Sequence, residues 1–399
     1  MRIVVVGAGQ AGASLVAKLR ALGHAGPITL IGAEPVPPYQ RPPLSKAYLT
    51  GEMEEERLYL RPASFYAEHA IDLRLGATAT HIDRTARTVA VGGEAIPYDA
   101  LALCLGATPR RLPAAIGGNL AGVFALRGLA DVDAMRAAFQ PGRRLLVVGG
   151  GYIGLEAAAV ARKLGMEVTL IELAPCILGR VAAPETADYF RALHRAHGVD
   201  LLEGTGLTRL LGTTHVTGAI LSDGREIPCD AVVAGVGITP DTGLAEGAGL
   251  SLDNGIATDT HGRTDDPHIW AAGDCASFAT ATGRMRLESV QNAIDMAEVV
   301  AANILGADTP YHPQPWFWSD QYDVKLQIAG LNAGYTYIVR RETGEAVSHW
   351  YFAHDRLISV DAMNDPRAYM VGKRLIEQGK SPSPEAIQAT PDLKALLKA

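Results

Sequence analysis

The sequence predicts an α/β protein with two Rossmann-like dinucleotide-binding domains and an α+β C-terminal domain. Three observations carry this: a strand–glycine turn–helix–strand pattern at the N-terminus, its return about 140 residues later, and a change of composition after Gly306. The first unit runs from the apolar stretch Arg2–Val6 through Gly7-Ala-Gly9-Gln-Ala-Gly12. A helical pattern follows, with Leu15, Leu19 and Leu22 at spacings of four and three, and then Ile28–Ile31 and Glu34. An apolar run too short for a helix, a glycine turn, a 3.6-residue period and another short apolar run make a βαβ unit. Its crossover is expected to be right-handed.

The second unit repeats the order: Arg144–Val148, Gly149-Gly-Gly151-Tyr-Ile-Gly154, a helix through Leu164, Glu167–Ile171 and then Glu172. Between the units lie a proline-rich loop, Pro35–Pro43, and strand-like runs at Thr88–Val91 and Leu101–Leu105, the latter ending at Gly106. After the second unit, Ala231–Val236 and Ile269–Ala272 read as buried strands, and Ser289–Leu305 as a helix. Beyond Gly306 the aromatic cluster Trp316, Phe317 and Trp318 precedes strands expected at Lys325–Ile328, Tyr335–Arg340 and Ser348–Phe352. A helix around Tyr369–Gln378 and a Pro/Ser-containing tail from Ser381 complete the chain.

The 399 residues suit two or three domains. With 48% apolar and 20% charged residues the chain has the balance of a globular protein, not of a disordered one. The net charge of −7 argues against a nucleic-acid binder, which carries a basic footprint. No apolar run approaches the ~18 residues of a membrane span, and no signal-type apolar region precedes the glycines, so the expectation is a soluble cytoplasmic protein without a membrane partner. Cys104, Cys176, Cys229 and Cys275 are dispersed. They form no CxxC pair, which excludes a short-spaced redox dithiol and gives no ligand set for a cluster or structural zinc. His194 and His197 form HxxH on an expected helix, but no third ligand follows at metal spacing. They are read as surface or partly buried histidines, and no metal site is expected.

The glycine motifs carry the chemistry. A pyrophosphate is held best at a helix N-terminus, where free N–H groups and the helix dipole favour an anion. The first glycine permits the turn, the second admits phosphate to the backbone, and the third lets helix pack on strand. Gly7, Gly9 and Gly12 meet this demand once, and Gly149, Gly151 and Gly154 a second time. An acid about 20 residues on is the ribose acceptor of such a unit. Glu172 sits directly at its strand end, with no arginine in Leu173-Ala-Pro175 to take a 2′-phosphate, so NADH is favoured over NADPH. Glu34 is offset by two residues and is a ribose contact or a solvated turn residue.

Two dinucleotide sites in one chain imply electron traffic between a flavin and a nicotinamide. The chain resembles the FAD-dependent NADH:ferredoxin reductases of the putidaredoxin reductase and biphenyl-dioxygenase reductase type. The matching motifs occur in order: GAGQAG, RPPLSKAYL at 41–49, GGGYIGLE at 149–156, NGI at 254–256, AAGDCA at 271–276, LESVQNA at 287–293 and WFWSDQY at 316–322. The resemblance implies a discontinuous FAD domain (1–108 and 237–309), an inserted NAD domain (109–236) and a C-terminal domain (310–399) covering the flavin. It implies flavin contacts from Lys46, Arg127 and Val290, backbone contacts from Ala11 and Ala79, and Asp274 accepting from a ribitol hydroxyl. Gly106 ends the first FAD segment, and Gly237 belongs to the cofactor-binding set. One departure stands at Cys104-Leu105-Gly106, where the family has Ala-Thr-Gly, so the threonine's hydrogen bond is expected to be missing.

The same resemblance implies hydride transfer from NADH to FAD, then single-electron transfers to a [2Fe–2S] ferredoxin. That ferredoxin would supply a cytochrome P-450-type monooxygenase or a Rieske dioxygenase, the motifs leaning towards the former. Tyr152 and Ile153, at the turn into the second glycine helix, would meet the stacked rings, Tyr152 as a movable ring. Lys46 and Glu156 resemble the pair the family places near flavin N5, where an ammonium stabilises developing negative charge and a carboxylate keeps it oriented. Trp318 would pack on the flavin, with Trp316 near it. An acidic ferredoxin would meet a basic patch, for which Lys325, Arg340 and Arg341 are candidates. A disulfide reductase or an NADH-oxidase-like enzyme would need cysteine in Pro42–Lys46, and none is there. A non-catalytic protein of the apoptosis-inducing-factor type remains an alternative. Among oligomeric states the monomer is favoured.

Overall fold

The structure, a computed structural model, describes residues 1–280 and 283–398. Residues 281 and 282, in the expected second FAD segment, and 399, the end of the expected C-terminal domain, lie outside the described residues. The chain divides into two compact units. One comprises Met1–Arg41, Glu55–Thr108 and Ile238–Pro315; the other comprises Pro42–Glu54, Pro109–Gly237 and Trp316–Ala399.

The first unit is built on five parallel strands in the order Ile269–Ala271, Ala100–Leu103, Ile3–Val6, Ile28–Ile31 and Ile71–Arg74. The central runs are apolar without alternation because both faces of the sheet are covered; Ile3–Val6 and Ala100–Leu103 are buried throughout. The helix Gln10–Ala21 turns Ala11, Leu15, Val16 and Leu19 inward and packs against the helix Val290–Ile304. Leu22 departs from the expected stripe: it caps the helix and is exposed, because the chain leaves the helical path there. The strand expected to reach Leu105 stops at Leu103, since Gly106 adopts φ +76° and turns the chain.

The second unit contains five further parallel strands in the order Val199–Glu203, Glu167–Glu172, Arg144–Val148, Ala231–Ala234 and Val123–Phe124. It also contains an antiparallel sheet ordered Trp316–Gln321, Val324–Gly330, Arg356–Met363, Ala346–Ala353 and Tyr337–Thr343. The aromatic cluster is therefore itself a strand. The expected Pro/Ser-containing tail instead folds into a helix, Pro384–Ala389, and a short helical turn, Leu393–Leu397, whose Ile387, Leu393 and Leu396 join Trp350, Phe352 and Val360 in the core. Composition misled here because Ser383 is an N-cap accepting from the Ala386 N–H at 3.2 Å, with Pro384 at the first helical position. Asp365 and Pro366 play the same parts at the preceding helix, Pro366–Glu377, which begins three residues before Tyr369.

The glycines of the second motif divide their labour by space. A Cβ on Gly154 would lie 2.1 Å from the Gly149 carbonyl oxygen, whereas a Cβ on Gly151 would meet nothing within 4 Å. Gly154→Ala is expected to destabilise the protein by about 2–3 kcal/mol, seen as a lower Tm. Gly151→Ala should leave Tm nearly unchanged while weakening NADH in a fluorescence titration.

Candidate dinucleotide and redox site

In the first unit, Gly7 turns with φ +110°, and a Cβ there would collide with the Cys104 carbonyl at 2.0 Å. Gly9 is the N-cap of Gln10–Ala21, with open space around it. A Cβ on Gly12 would stand 1.9 Å from the Gly7 carbonyl oxygen, so only glycine lets the helix start this close to the strand end. The returning segment meets the same helix: a Cβ at Gly273 would lie 3.0 Å from the Cβ of Ala11 and 3.8 Å from that of Ala293. This brings Gly7, Gly9, Ala11, Gly12, half-buried Asp274 and Val290, first residue of its helix, to one end of the sheet. An open N-cap glycine at a helix end, walled by glycines that tolerate no side chain, fits a pyrophosphate. Ala79 opens the strand Ala79–Asp83, and the Gly106 carbonyl accepts from the Asp241 N–H at 3.0 Å.

Glu34 is engaged. Its Oε1 accepts from Arg41 Nη2 at 2.6 Å and its Oε2 from the Tyr39 hydroxyl at 2.5 Å. A ribose would therefore share this carboxylate with the start of the proline-rich loop. At the departure from the family pattern, burial pushes the Cys104 thiol well up, and Leu105 offers no hydroxyl.

In the second unit, Gly149 turns with φ +108° and Gly151 caps Tyr152–Lys163. Glu172 ends its strand, with Oε2 accepting from the Gly150 N–H and Oε1 from the Ala174 N–H, both at 2.7 Å. The carboxylate is thus held beside the glycine loop, and each oxygen keeps lone-pair capacity for a ribose hydroxyl. Gly237, φ +97°, accepts through its carbonyl from the Arg110 N–H at 2.9 Å. The Arg127 N–H donates to Asp131 Oδ2 at 3.0 Å. Ile153 is exposed, whereas the Tyr152 ring lies on Phe317, centroids 4.8 Å apart. The Tyr152 hydroxyl is buried without a hydrogen-bond partner, and burial pushes its phenol up.

The second glycine helix also carries Glu156, one turn beyond Tyr152 and 5% exposed. The short helical segment Leu44–Tyr48 brings Lys46 Nζ to 2.8 Å from Glu156 Oε2, with Lys46 itself at non-helical φ −132°, ψ −113°. Ser45 Oγ donates to the same oxygen at 2.7 Å, and Ser319 Oγ donates to Oε1 at 2.7 Å. A buried carboxylate so surrounded is compensated by one cation and two hydroxyls. Trp318 is half-buried, its ring 5.4 Å from that of Trp316.

Two buried features escaped sequence reasoning. His194 is fully buried, contrary to expectation, because the helix Pro184–Ala196 turns it towards Gln321. Asp361 is buried with Thr186 Oγ1 donating to its Oδ2 at 2.9 Å and the Tyr351 hydroxyl donating to the same oxygen; Thr186 also bonds His349 Nδ1 at 2.7 Å. No local pattern announces either, since Gln321 lies 127 residues from His194 and Thr186 lies 175 from Asp361 along the chain. Among the described residues no His, Cys, Asp and Glu group could hold a metal ion, and no helix is long and apolar enough to cross a membrane.

The model of the pyridine nucleotide-disulphide oxidoreductase family matches residues 1–297, and that of the reductase C-terminal domain matches 316–397. A ferredoxin–NAD(P)(+) reductase from Sphingomonas sp is 44% identical, covering 94% of this chain and 92% of its own. Rhodocoxin reductase from Rhodococcus erythropolis is 42% identical, over 99% and 94%. The covalent putidaredoxin reductase–putidaredoxin complex superposes with a TM-score of 0.95 at 40% identity, covering 100% of this chain and 98% of the other.

A carboxylate at the Glu172 position repels a 2′-phosphate. Glu172→Ala is expected to lower the NADH-over-NADPH preference in kcat/KM by about tenfold, checked by parallel steady-state kinetics. The buried histidines set an acid limit. Burial lowers His194 and His349 from 6.5 to about 4, so each contributes stability fully present above pH 6.5 and lost as pH falls towards 4. At ~1.4 kcal/mol per pKa unit that is about 3 kcal/mol apiece. Asp361, raised by burial from 3.8 to about 6, runs the other way and offsets roughly one of them. Urea unfolding at pH 7 and pH 4.5 should show His194→Gln losing less stability than the parent over that interval.

Proposed function

Because the chain belongs to the pyridine nucleotide-disulphide oxidoreductase family, and within it to the FAD-dependent ferredoxin reductases, we propose that it passes electrons from NADH through FAD to a [2Fe–2S] ferredoxin serving an oxygenase. The observation that carries this reading is the Lys46–Glu156 pair, whose buried carboxylate sits on the helix that the second dinucleotide motif opens. A disulfide reductase needs a cysteine in the loop that supplies Lys46; here Pro42–Lys46 holds none, and Cys104, Cys229 and Cys275 are buried thiols pushed up by desolvation.

When bound, FAD supplies the two-electron to one-electron conversion that no side chain can perform. The protein's own residues do the rest. The glycine-capped helix starts hold the pyrophosphates, and Glu172 orients the NADH ribose. Lys46 would supply an ammonium to stabilise negative charge on the flavin when it is bound. Glu156, fixed by Ser45 and Ser319, holds that ammonium in place, and the Pro42 carbonyl accepts from Lys46 Nζ at 3.3 Å. Tyr152 covers Phe317 and moves aside for the nicotinamide; its unpartnered hydroxyl leaves no hydrogen bond to break. Ala11, Ala79, Gly106, Arg127, Gly237, Asp274, Val290 and Trp318 complete the proposed cofactor-binding set, with Ile153 at the nicotinamide. We assign the terminal acceptor to a P-450-type monooxygenase or a Rieske dioxygenase, and the protein to a cytoplasm that keeps its four thiols free.

NADH-driven cytochrome c reduction tests the reading. Addition of candidate [2Fe–2S] proteins should stimulate it strongly; if none does, the acceptor class is wrong. Flavin absorbance that NADH cannot bleach would instead favour a non-catalytic binding protein. Lys46→Ala is expected to slow stopped-flow flavin reduction about 100-fold while changing NADH affinity little.

A further inference from the structure

His194 has no part in the chemistry above, yet it is completely buried. Its Nε2 lies 2.8 Å from Gln321 Oε1 and its Nδ1 lies 3.1 Å from the Tyr322 hydroxyl. Gln321 and Ser319 are equally buried. Gln321 Nε2 stands 3.2 Å from Ser319 Oγ, which stands 2.7 Å from Glu156 Oε1. An unbroken line of contacts thus runs from Tyr322 through His194, Gln321 and Ser319 to the carboxylate paired with Lys46, all within one unit of the chain.

The sense of the protons follows from the carboxylate end. Glu156 Oε1 accepts, so Ser319 commits its single proton there. Ser319 Oγ then accepts from the Gln321 amide nitrogen, which turns the Gln321 oxygen to the imidazole. That oxygen needs a donor, and His194 Nε2–H is the group facing it. His194 Nδ1 is left to accept from the Tyr322 hydroxyl. Every donor points towards Glu156, and aligned hydrogen bonds polarise one another. Burial holds the imidazole neutral, its pKa down at about 4, as this arrangement demands. At the outer end His197 stacks on the Tyr322 ring, centroids 3.6 Å apart, and fixes its orientation.

We propose that His194, Gln321 and Tyr322 are positioning residues for Glu156 and, through it, for the Lys46 ammonium, a role that rests on the reading that this pair serves the bound flavin. Lys46 and Ser45 both engage Oε2, so only Ser319 restrains rotation through Oε1. Without the amide behind it, the Ser319 hydroxyl is free to turn away and the ammonium loses its fixed position. A displacement of about 1 Å there costs up to 100-fold in rate.

The first test does not require turnover. In 15N-histidine-labelled, FAD-loaded protein, His194 should be the neutral Nε2–H tautomer with a hydrogen-bonded Nδ1, its resonance assigned by loss in His194→Gln. An Nδ1–H tautomer or an imidazolium at pH 7 overturns the proposal. In stopped flow at saturating NADH, His194→Leu should slow flavin bleaching about tenfold with NADH affinity unchanged, and His194→Gln, which keeps an amide donor in place of Nε2–H, should restore most of the rate. If His194→Leu does not fold, Tyr322→Phe, which retains the stacked ring, should slow bleaching about two- to threefold. Parent-like rates in His194→Leu or Tyr322→Phe, or no rescue by His194→Gln, overturn the proposal. Failure of NADH to bleach the parent's flavin would defeat the electron-transfer reading instead, and the tautomer would still decide the hydrogen-bond chain.

Discussion

A buried carboxylate has to be matched, and Glu156 is matched by two other stretches of chain at once. Ser45 and Lys46 come from the short helical segment after the proline-rich loop, Ser319 from the first strand of the C-terminal sheet, and Glu156 itself from the second glycine helix. Stripping any of these partners leaves a desolvated charge short of compensation, which is strongly destabilising. One electrostatic requirement therefore ties the loop, the helix and the sheet into a single unit, and the same requirement puts an ammonium next to the helix that opens on the dinucleotide. The proposed redox role would fall on the same group that holds this unit together, so the pair could not loosen without cost to the fold.

The two dinucleotide motifs start from nearly the same local physics and end differently. In both, the third glycine is mandatory because a methyl group would overlap a backbone oxygen, and the second is open because a phosphate needs room. The acids after the second strands diverge. Glu172 turns back onto the Gly150 and Ala174 amides and stands beside its own loop. Glu34 instead accepts from the side chains of Arg41 and Tyr39.

The legible part of the candidate site was the part built from contiguous chain. Gly-x-Gly-x-x-Gly between a strand and a helix gives the phosphate-binding geometry within a dozen residues, and the RPPLSK and GGGYIGLE stretches pointed to the Lys46–Glu156 pair. What stayed hidden came from partners distant in sequence. His194 reads as a surface or partly buried residue because HxxH on a helix carries no sign of which face is covered. Asp361 and Thr186 looked ordinary because each is one polar residue in an apolar or mixed run. Ser383-Pro384 read as a tail because capping residues and loop residues are the same types, and only Ile387, Leu393 and Leu396 finding a core distinguishes them.

The amino-acid order by itself determined the two strand–glycine–helix units, their parallel sheets, the anion-ready helix starts and the lack of a dithiol. These rest on short-range sterics and periodicity, which a chain carries wherever it goes. Tertiary structure alone decided which charge is buried with which partner, which hydroxyls orient it, and that an unremarkable histidine stands three hydrogen bonds from that carboxylate. Desolvation and hydrogen-bond direction exist only once the distant segments have closed around one another, so no reading of neighbours along the chain contains them.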